Sequence, residues 1–223
     1  MFFYSKKAPD IVNLSLNRCI YYGLIVTSIM VFYAHESTLC RTKAFMKTTK
    51  NLRFVVQQHD ATHMHYDFRL EINGVLVSWA VPKGPSMDPS VKRLALQTPD
   101  HALEYGSFEG ILPEGSYGAG PVLLWDEGTY ESIKEVDGKV LTPAQSLEMG
   151  TLEFKLHGKK LRGNFALIKT KGMRGHSSKN QWLFIKMHDE YAQTGDITKE
   201  MPESVKSGKK ISKHIRAKKS SAK

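Results

Sequence analysis

Cysteine is nearly absent from this chain of 223 residues. Both cysteines, Cys19 and Cys40, fall within the first 45 residues. Downstream of them there is no disulfide framework and no thiolate zinc site. A reducing, cytoplasmic setting is the expectation. A full-length apolar run is lacking too. Cys19–Ala34 is a 16-residue stretch without charge, short of the ~20 apolar residues of a membrane span. No repeat of fixed period is visible. With 41% hydrophobic and 24% charged residues, the composition excludes a collagen, a coiled coil and a wholly disordered chain. The length suits one domain with tails, and a single core of ~150 residues is feasible at this size.

Acidic residues are missing where basic ones gather. The net charge is +10, a field that favours a polyanionic partner. Residues 204–223 hold eight Lys and Arg and no acid, and residues 1–45 hold five Lys and Arg against two acids. The stretch between is almost neutral. Three parts are therefore expected. Residues 1–45 form an irregular extension, residues 46–203 a folded domain, and residues 204–223 a basic flexible tail. The extension has three open readings: sequence upstream of a natural start at Met46, a membrane anchor through residues 19–34, or a piece of the fold. The tail has two: a solubilising end, or an arm whose Lys209, Lys210, Lys213, Arg216, Lys218 and Lys219 touch nucleic-acid phosphates.

Short alternating runs rich in Val, Leu, Phe, Tyr and Trp follow Arg53. They predict strands at Arg53–His59, His65–Ile72, Val75–Val81, Arg93–Gln97, Val122–Glu127, Gly128–Glu131, Gly150–Leu156, Gly163–Lys169 and Gln181–Met187. Asn73-Gly74 is a two-residue hairpin signal, and Asp137-Gly138 and His157-Gly158 mark further turns. Only Thr142–Glu148, opened by Thr-Pro, reads as a short helix. Many short strands argue a mainly β fold, an antiparallel barrel or sandwich.

Residues 57–71, Gln-Gln-His-Asp-Ala-Thr-His-Met-His-Tyr-Asp-Phe-Arg-Leu-Glu, carry the chemistry. Residues two apart on a strand share a face. His65, Asp67 and Arg69 therefore project together, and Met64, Tyr66, Phe68 and Leu70 form the opposite, apolar face. Gln57 and His59 share a face of the preceding strand, and a turn at Asp60–His63 folds His59 beside His65. Two histidines and an aspartate make a facial metal triad, suited to Mn²⁺, Fe²⁺ or Zn²⁺. A guanidinium beside it suits a phosphate substrate. The bland alternative is surface histidines and a plain Asp–Arg ion pair. His63 fits a turn better than a ligand set. Lys83 sits in a Pro/Gly-locked turn, and His101 and Tyr105 lie four apart, on one side if the segment is helical. Alone, each also fits an ordinary surface residue.

The runs FVVQQHDATHMHYDFRLEINGVLVSWAVPKGPS and DHALEYGSFEGILPEGSYGAGPVLLWDEGTYE, with LEFKLHGKKLRGNFALIKTK and WLFIKMHDE, closely resemble the 3′-phosphoesterase domain of bacterial DNA ligase D and its stand-alone homologues. The resemblance spans about Arg53 to Glu190. It implies a closed antiparallel β-barrel with a Mn²⁺-dependent site, other divalent transition metals being alternatives. The reaction it implies trims primer 3′ ends: a terminal ribonucleoside is removed to leave a 3′-phosphate, which is hydrolysed to a 3′-hydroxyl. By the same resemblance the metal ligands are His59, His65 and Asp67. Arg69, His101 and Tyr105 bind phosphate, Lys83 lies in a matching turn, and Gln57 supports the site. The Arg, Asp and Glu of the family's N-terminal segment have no clear counterpart in residues 1–52, and Arg53 is not assigned their role. The expectation is a monomeric, stand-alone hydrolase of DNA or DNA/RNA primer-template 3′ ends, serving non-homologous end joining with separate ligase and polymerase partners. The alternatives are a barrel that holds nucleic-acid ends without hydrolysis, and a membrane-anchored nucleotide phosphoesterase.

Overall fold

The strand pattern closes on itself in the computed structural model, which describes residues 51–116, 118–170 and 180–211. The strands are β1 (Leu52–Asp60), β2 (Met64–Ile72), β3 (Val75–Val81), β4 (Lys92–His101), β5 (Gly110–Leu112), β6 (Gly120–Ser132), β7 (Glu135–Val136), β8 (Lys139–Val140), β9 (Thr151–Gly158), β10 (Arg162–Lys169) and β11 (Gln181–Lys186). Helical pieces are short: a 3₁₀ turn at Leu103–Ser107, α1 at Pro143–Glu148 and α2 at Ile197–Glu200. Eight strands run β1-β2-β3-β4-β11-β10-β9-β6, and β6 pairs back onto β1. Every pairing is antiparallel. The expected closed barrel is what the chain forms.

Local chemistry explains the turns. Asn73 and Gly74 both take positive φ, as do Asp137 and Gly138, the backbone of the two-residue hairpin that follows right-handed strand twist. Thr142 caps α1 through a capping box with Gln145, and Pro143 occupies the first turn, where its missing N–H costs nothing.

An eight-stranded barrel has an interior just wide enough for side chains. Here Phe54, Val56, Tyr66, Phe68, Leu70, Trp79, Trp125, Phe154, Phe165, Trp182 and Phe184 fill it. Phe68 lies at the centre, with its ring 4.6 Å from Phe184 and 5.8 Å from Phe154. With the interior full, polar chemistry has only the outer wall. Tyr66, Phe68 and Leu70 point in as the alternation predicts, and His65, Asp67 and Arg69 point out.

Three expectations are corrected. The strands expected on either side of Gly128 are one strand. A Cβ at Gly128 would lie 2.2 Å from the His157 carbonyl oxygen, so the glycine marks close strand approach, not a break. β4 runs on to His101 through a register shift against β3 near Pro99, so His101 ends a strand and does not share a helix with Tyr105. The domain also continues past 203. Ser204 is buried, its amide donates to the Lys209 carbonyl, and the Val205 amide donates to the Leu124 carbonyl. The start of the expected flexible tail is thus docked on the barrel. Lys209 is exposed and Lys210 pairs with Glu203 at 2.9 Å. Lys213, Arg216, Lys218 and Lys219 lie outside the described residues, as do residues 1–45 with Cys19, Cys40 and the 19–34 stretch. Among the described residues no helix is long and apolar enough to cross a membrane.

Candidate active site

The β1–β2 hairpin sets the first part of the site. Its register places His59 opposite His65 and Gln57 opposite Asp67, while β2–β3 pairing places Arg69 opposite Ser78. Directly opposed residues share a face. Five polar side chains of β1 and β2 and one of β3 therefore crowd the outer wall, and four of them, Gln57, Asp67, Arg69 and Ser78, are buried together with His59.

His59, His65 and Asp67 offer ligand atoms within 4.8 Å of one another. Their orientation decides what they suit. The Nε2 of His59 lies 2.7 Å from the Gly118 carbonyl oxygen, and the Nδ1 of His65 lies 2.9 Å from the His63 carbonyl oxygen. A carbonyl only accepts, so each of these nitrogens carries a proton and donates it. In the neutral rings the remaining nitrogens are bare. They face Asp67: His59 Nδ1 is 3.7 Å from Oδ2 and His65 Nε2 is 3.5 Å from Oδ1. Lone pairs turned on a carboxylate repel unless a cation lies among them. Backbone-anchored imidazoles are also how metal-ligating histidines are held. The donor set therefore fits a divalent transition metal. Burial alone would push the Asp67 carboxyl up, but the Arg69 guanidinium beside it, 3.0 Å away, counters this, and the carboxyl lies below the usual carboxylate range. It stays ionised. His63 contributes its carbonyl and lies outside the trio.

Arg69 organises the second part. It is 2% exposed. Its Nε donates to Gln57 Oε1 at 2.9 Å, Nη1 to Ser78 Oγ at 2.7 Å and His101 Nδ1 at 2.9 Å, and Nη2 to Asp67 Oδ2 at 3.0 Å. Four of its five N–H groups are spent within the protein. It presents a fixed positive charge and one remaining N–H, not an open fork. Because arginine only donates, His101 Nδ1 accepts and the ring proton resides on Nε2. Burial, then the charge of Arg69, pushes the His101 pKa down. His101 is therefore a neutral imidazole with a donating Nε2–H.

Tyr105 completes this wall from the 3₁₀ turn. Its ring stacks on His101 at 5.0 Å and on Phe108 at 5.4 Å, and the Arg69 guanidinium lies 5.1 Å from its centroid. Burial raises the phenol pKa, so the hydroxyl keeps its proton. Gln57 ties the turn to the barrel, with Nε2 donating to the Tyr105 and Phe108 carbonyls at 3.1 and 3.0 Å. Lys83 is exposed in the turn after β3 and joins none of these bonds. Its turn is tight: a Cβ on Gly84, at φ +68°, would lie 2.9 Å from the Tyr66 ring.

Ser78 escaped the sequence reading. Its signal was present: it is the lone hydroxyl in VLVSWAV, at the parity opposite the tryptophan. What it needed was its partner Arg69, which only the β2–β3 register supplies.

The family model for the DNA ligase D 3′-phosphoesterase domain matches residues 57–169, which include the trio, the Arg69 network and the 3₁₀ wall. The multifunctional non-homologous end joining protein LigD of Pseudomonas aeruginosa is 48% identical over 161 residues, covering 71% of this chain and 18% of that protein. The multifunctional non-homologous end joining DNA repair protein LigD of Mycobacterium tuberculosis is 49% identical over 130 residues, 57% of this chain and 16% of that protein. The LigD of Mycolicibacterium smegmatis is 45% identical over 149 residues. The chain spans less than a fifth of the length of these relatives. This chain belongs to the DNA ligase D 3′-phosphoesterase domain family.

Proposed function

We propose that this protein is a Mn²⁺-dependent hydrolase that heals 3′ ends of DNA or DNA/RNA primer strands during end joining. It removes a 3′-terminal ribonucleoside to leave a phosphate, and converts that phosphate to a hydroxyl. One observation carries the reading: two bare imidazole nitrogens and an ionised carboxylate converge beside a wall that carries two donor groups, His101 Nε2–H and Tyr105 O–H. That pairing suits a phosphate ester.

His59 Nδ1, His65 Nε2 and Asp67 would hold the ion, which supplies Lewis acidity toward the phosphate and lowers the pKa of water. The remaining work falls to the chain. Arg69 holds Asp67, Gln57, Ser78 and His101 in one network, and its charge lies behind the phosphate without reorganising during reaction. His101 donates a hydrogen bond from Nε2 to a phosphate oxygen. With Nδ1 committed to Arg69, the ring serves as a neutral electrostatic clamp and not as the proton donor to the leaving oxygen, the other role a histidine at this place could take. Tyr105 donates from its hydroxyl. Lys83, exposed in its turn, adds charge as substrate arrives. Ligase and polymerase activities would use the healed end.

The test is incubation with Mn²⁺ and a duplex whose primer ends in one ribonucleotide or in a 3′-phosphate. A 3′-hydroxyl product is expected from both, and Asp67→Ala is expected to lose more than ~10³-fold in rate, the upper range for one transition-state contact. Tight binding of ends that remain unprocessed would instead support a non-catalytic end-binding barrel.

A further inference from the structure

The C-terminal strap, residues 197–210, lies beyond the residues matched by the family model, and it touches none of the candidate catalytic groups. It grips the back of the wall that carries Tyr105. β6 pairs with β5 at Gly120–Val122 and with β9 at Gly128–Ser132, which leaves one edge open between them. At that edge the Leu124 amide donates to Glu109 Oε2 at 3.0 Å, and the Leu124 carbonyl accepts from Val205 N at 2.9 Å. Glu109 and the strap thus close the edge together. They are also bonded to each other, with the hydroxyls of Ser204 and Ser207 donating to the two Glu109 carboxylate oxygens. Lys206 Nζ donates at 2.7 Å to the carbonyl of Ser107, the last residue of the 3₁₀ turn. Val205 and Leu103 pack on the apolar patch of Val55, Leu76 and Leu124.

The wall is therefore held from two sides. Gln57 grips the Tyr105 and Phe108 carbonyls from the barrel. Lys206, Val205 and the Glu109 carboxylate grip its far end from the strap. The strap has anchors of its own, so it does not depend on Glu109 to stay docked. Trp125 Nε1 donates to the Met201 carbonyl at 2.7 Å, and Lys160 Nζ donates to the Met201 and Glu203 carbonyls. Burial alone would push the Glu109 carboxyl up, but the Ser204 and Ser207 hydroxyls, the Leu124 amide and the Lys206 charge hold it below its ordinary value.

We infer that Glu109 and the strap are positioning elements of the phosphate subsite, fixing Tyr105 and its stacking partner His101 against Arg69, so that the functional unit extends through residue 210. The inference rests on the phosphoesterase reading for its catalytic consequence, and on geometry alone for its mechanical one.

Glu109→Ala, Glu109→Gln and Ser204→Ala in the full chain test it. Three quantities are followed: hydrogen exchange at the Tyr105 and Phe108 amides, which close the 3₁₀ turn; inhibition by inorganic phosphate; and the Mn²⁺ titration midpoint. Glu109→Ala is expected to speed exchange at both amides while β2 stays protected, and to weaken phosphate inhibition and raise KM by about 10–100-fold, the usual range for a supporting contact. The Mn²⁺ midpoint should not move. Ser204→Ala should do the same more mildly, and Glu109→Gln, which keeps an acceptor, should recover much of the loss. Faster exchange with phosphate inhibition unchanged overturns the inference. So does a fall in kcat with KM and phosphate inhibition unchanged, which is the signature of lost folded protein. If the wild-type chain responds to neither Mn²⁺ nor phosphate, the phosphoesterase reading fails, and exchange at Tyr105 and Phe108 still decides whether Glu109 holds the wall.

Discussion

The two faces of β1–β3 are built from the same strands by opposite rules. The inner face is carbon packed on carbon, with Phe54, Phe68, Leu70 and Trp79 almost without exposure. The outer face is also buried at Gln57, Asp67, Arg69 and Ser78, yet it is held by directional bonds, four of which pass through one guanidinium. An apolar core tolerates shape-preserving exchange. A polar network under burial does not, because removing one member strands the others. Alternation along a strand therefore divides the molecule into a tolerant half that supports the fold and an intolerant half that supports the site.

The contrast breaks most sharply at Arg69. Arg69→Ala leaves Asp67 ionised and buried without its partner, and removes the bonds that orient Gln57, Ser78 and His101. The expected result is a loss of ~10²–10³-fold in rate together with ~3–5 kcal/mol of stability. Arg69→Lys should keep the charge and recover part of the stability, but not the four-way orientation. Steady-state kinetics and urea denaturation of both variants check this. Near-normal values for both would remove Arg69 from its central place.

Phe68, the next residue but facing in, should show the reverse. Phe68→Ala is expected to cost ~3–5 kcal/mol, while the fraction that remains folded keeps its rate per molecule. Activity titrated against the folded fraction in urea separates the two cases. A large intrinsic rate loss would mean that the faces are mechanically coupled.

A smaller effect sharpens the comparison by pH. Burial and Arg69 depress the His101 pKa, so the folded state prefers the neutral ring. Above the ordinary histidine pKa of ~6.5 neither state binds this proton, and the network is intact. As pH falls through that value the unfolded chain takes up a proton that the native ring resists. Stability is then lost progressively until the lower, folded-state pKa is passed. The rate profile should show an acid limb set by a group titrating below ~6.5, absent in His101→Gln. A limb above that value would contradict the neutral-donor role.

The smallest effect concerns the far end. Changing Lys213, Arg216, Lys218 and Lys219 to Gln should leave the rate at saturation unchanged. If half of these charges meet phosphates, the slope of log affinity against log salt should fall by roughly 2 units. An unaltered slope would assign DNA attraction to the nearly neutral barrel.

Most of the barrel was legible because alternation and turn chemistry are local signals. Val75–Val81 matches its strand residue for residue, and the Asn73-Gly74 and Thr142-Pro143 signals mark real boundaries. The trio was legible because all three residues lie on one hairpin. What escaped depends on partners remote in the chain. Gly128 reads as a breaker until His157 is seen against it. Ser204 and Ser207 read as flexible tail until Glu109 is found beneath them, almost a hundred residues away. Arg69 reads as an open phosphate fork until its bonds to Gln57, Ser78, His101 and Asp67 are counted.

The same remoteness orders the assembly of the site in time. His59, His65 and Asp67 meet through a single tight hairpin, the kind of local contact that forms within microseconds, and His59 gains its anchor when Gly118 follows. The strap that secures Tyr105 is among the last of the described residues to leave the ribosome. During synthesis the hairpin that carries the candidate metal ligands thus emerges long before the candidate phosphate wall can be locked. On the proposed function, the ion site would be complete once Gly118 anchors His59, and the substrate wall only when Ser204 and Ser207 arrive at Glu109.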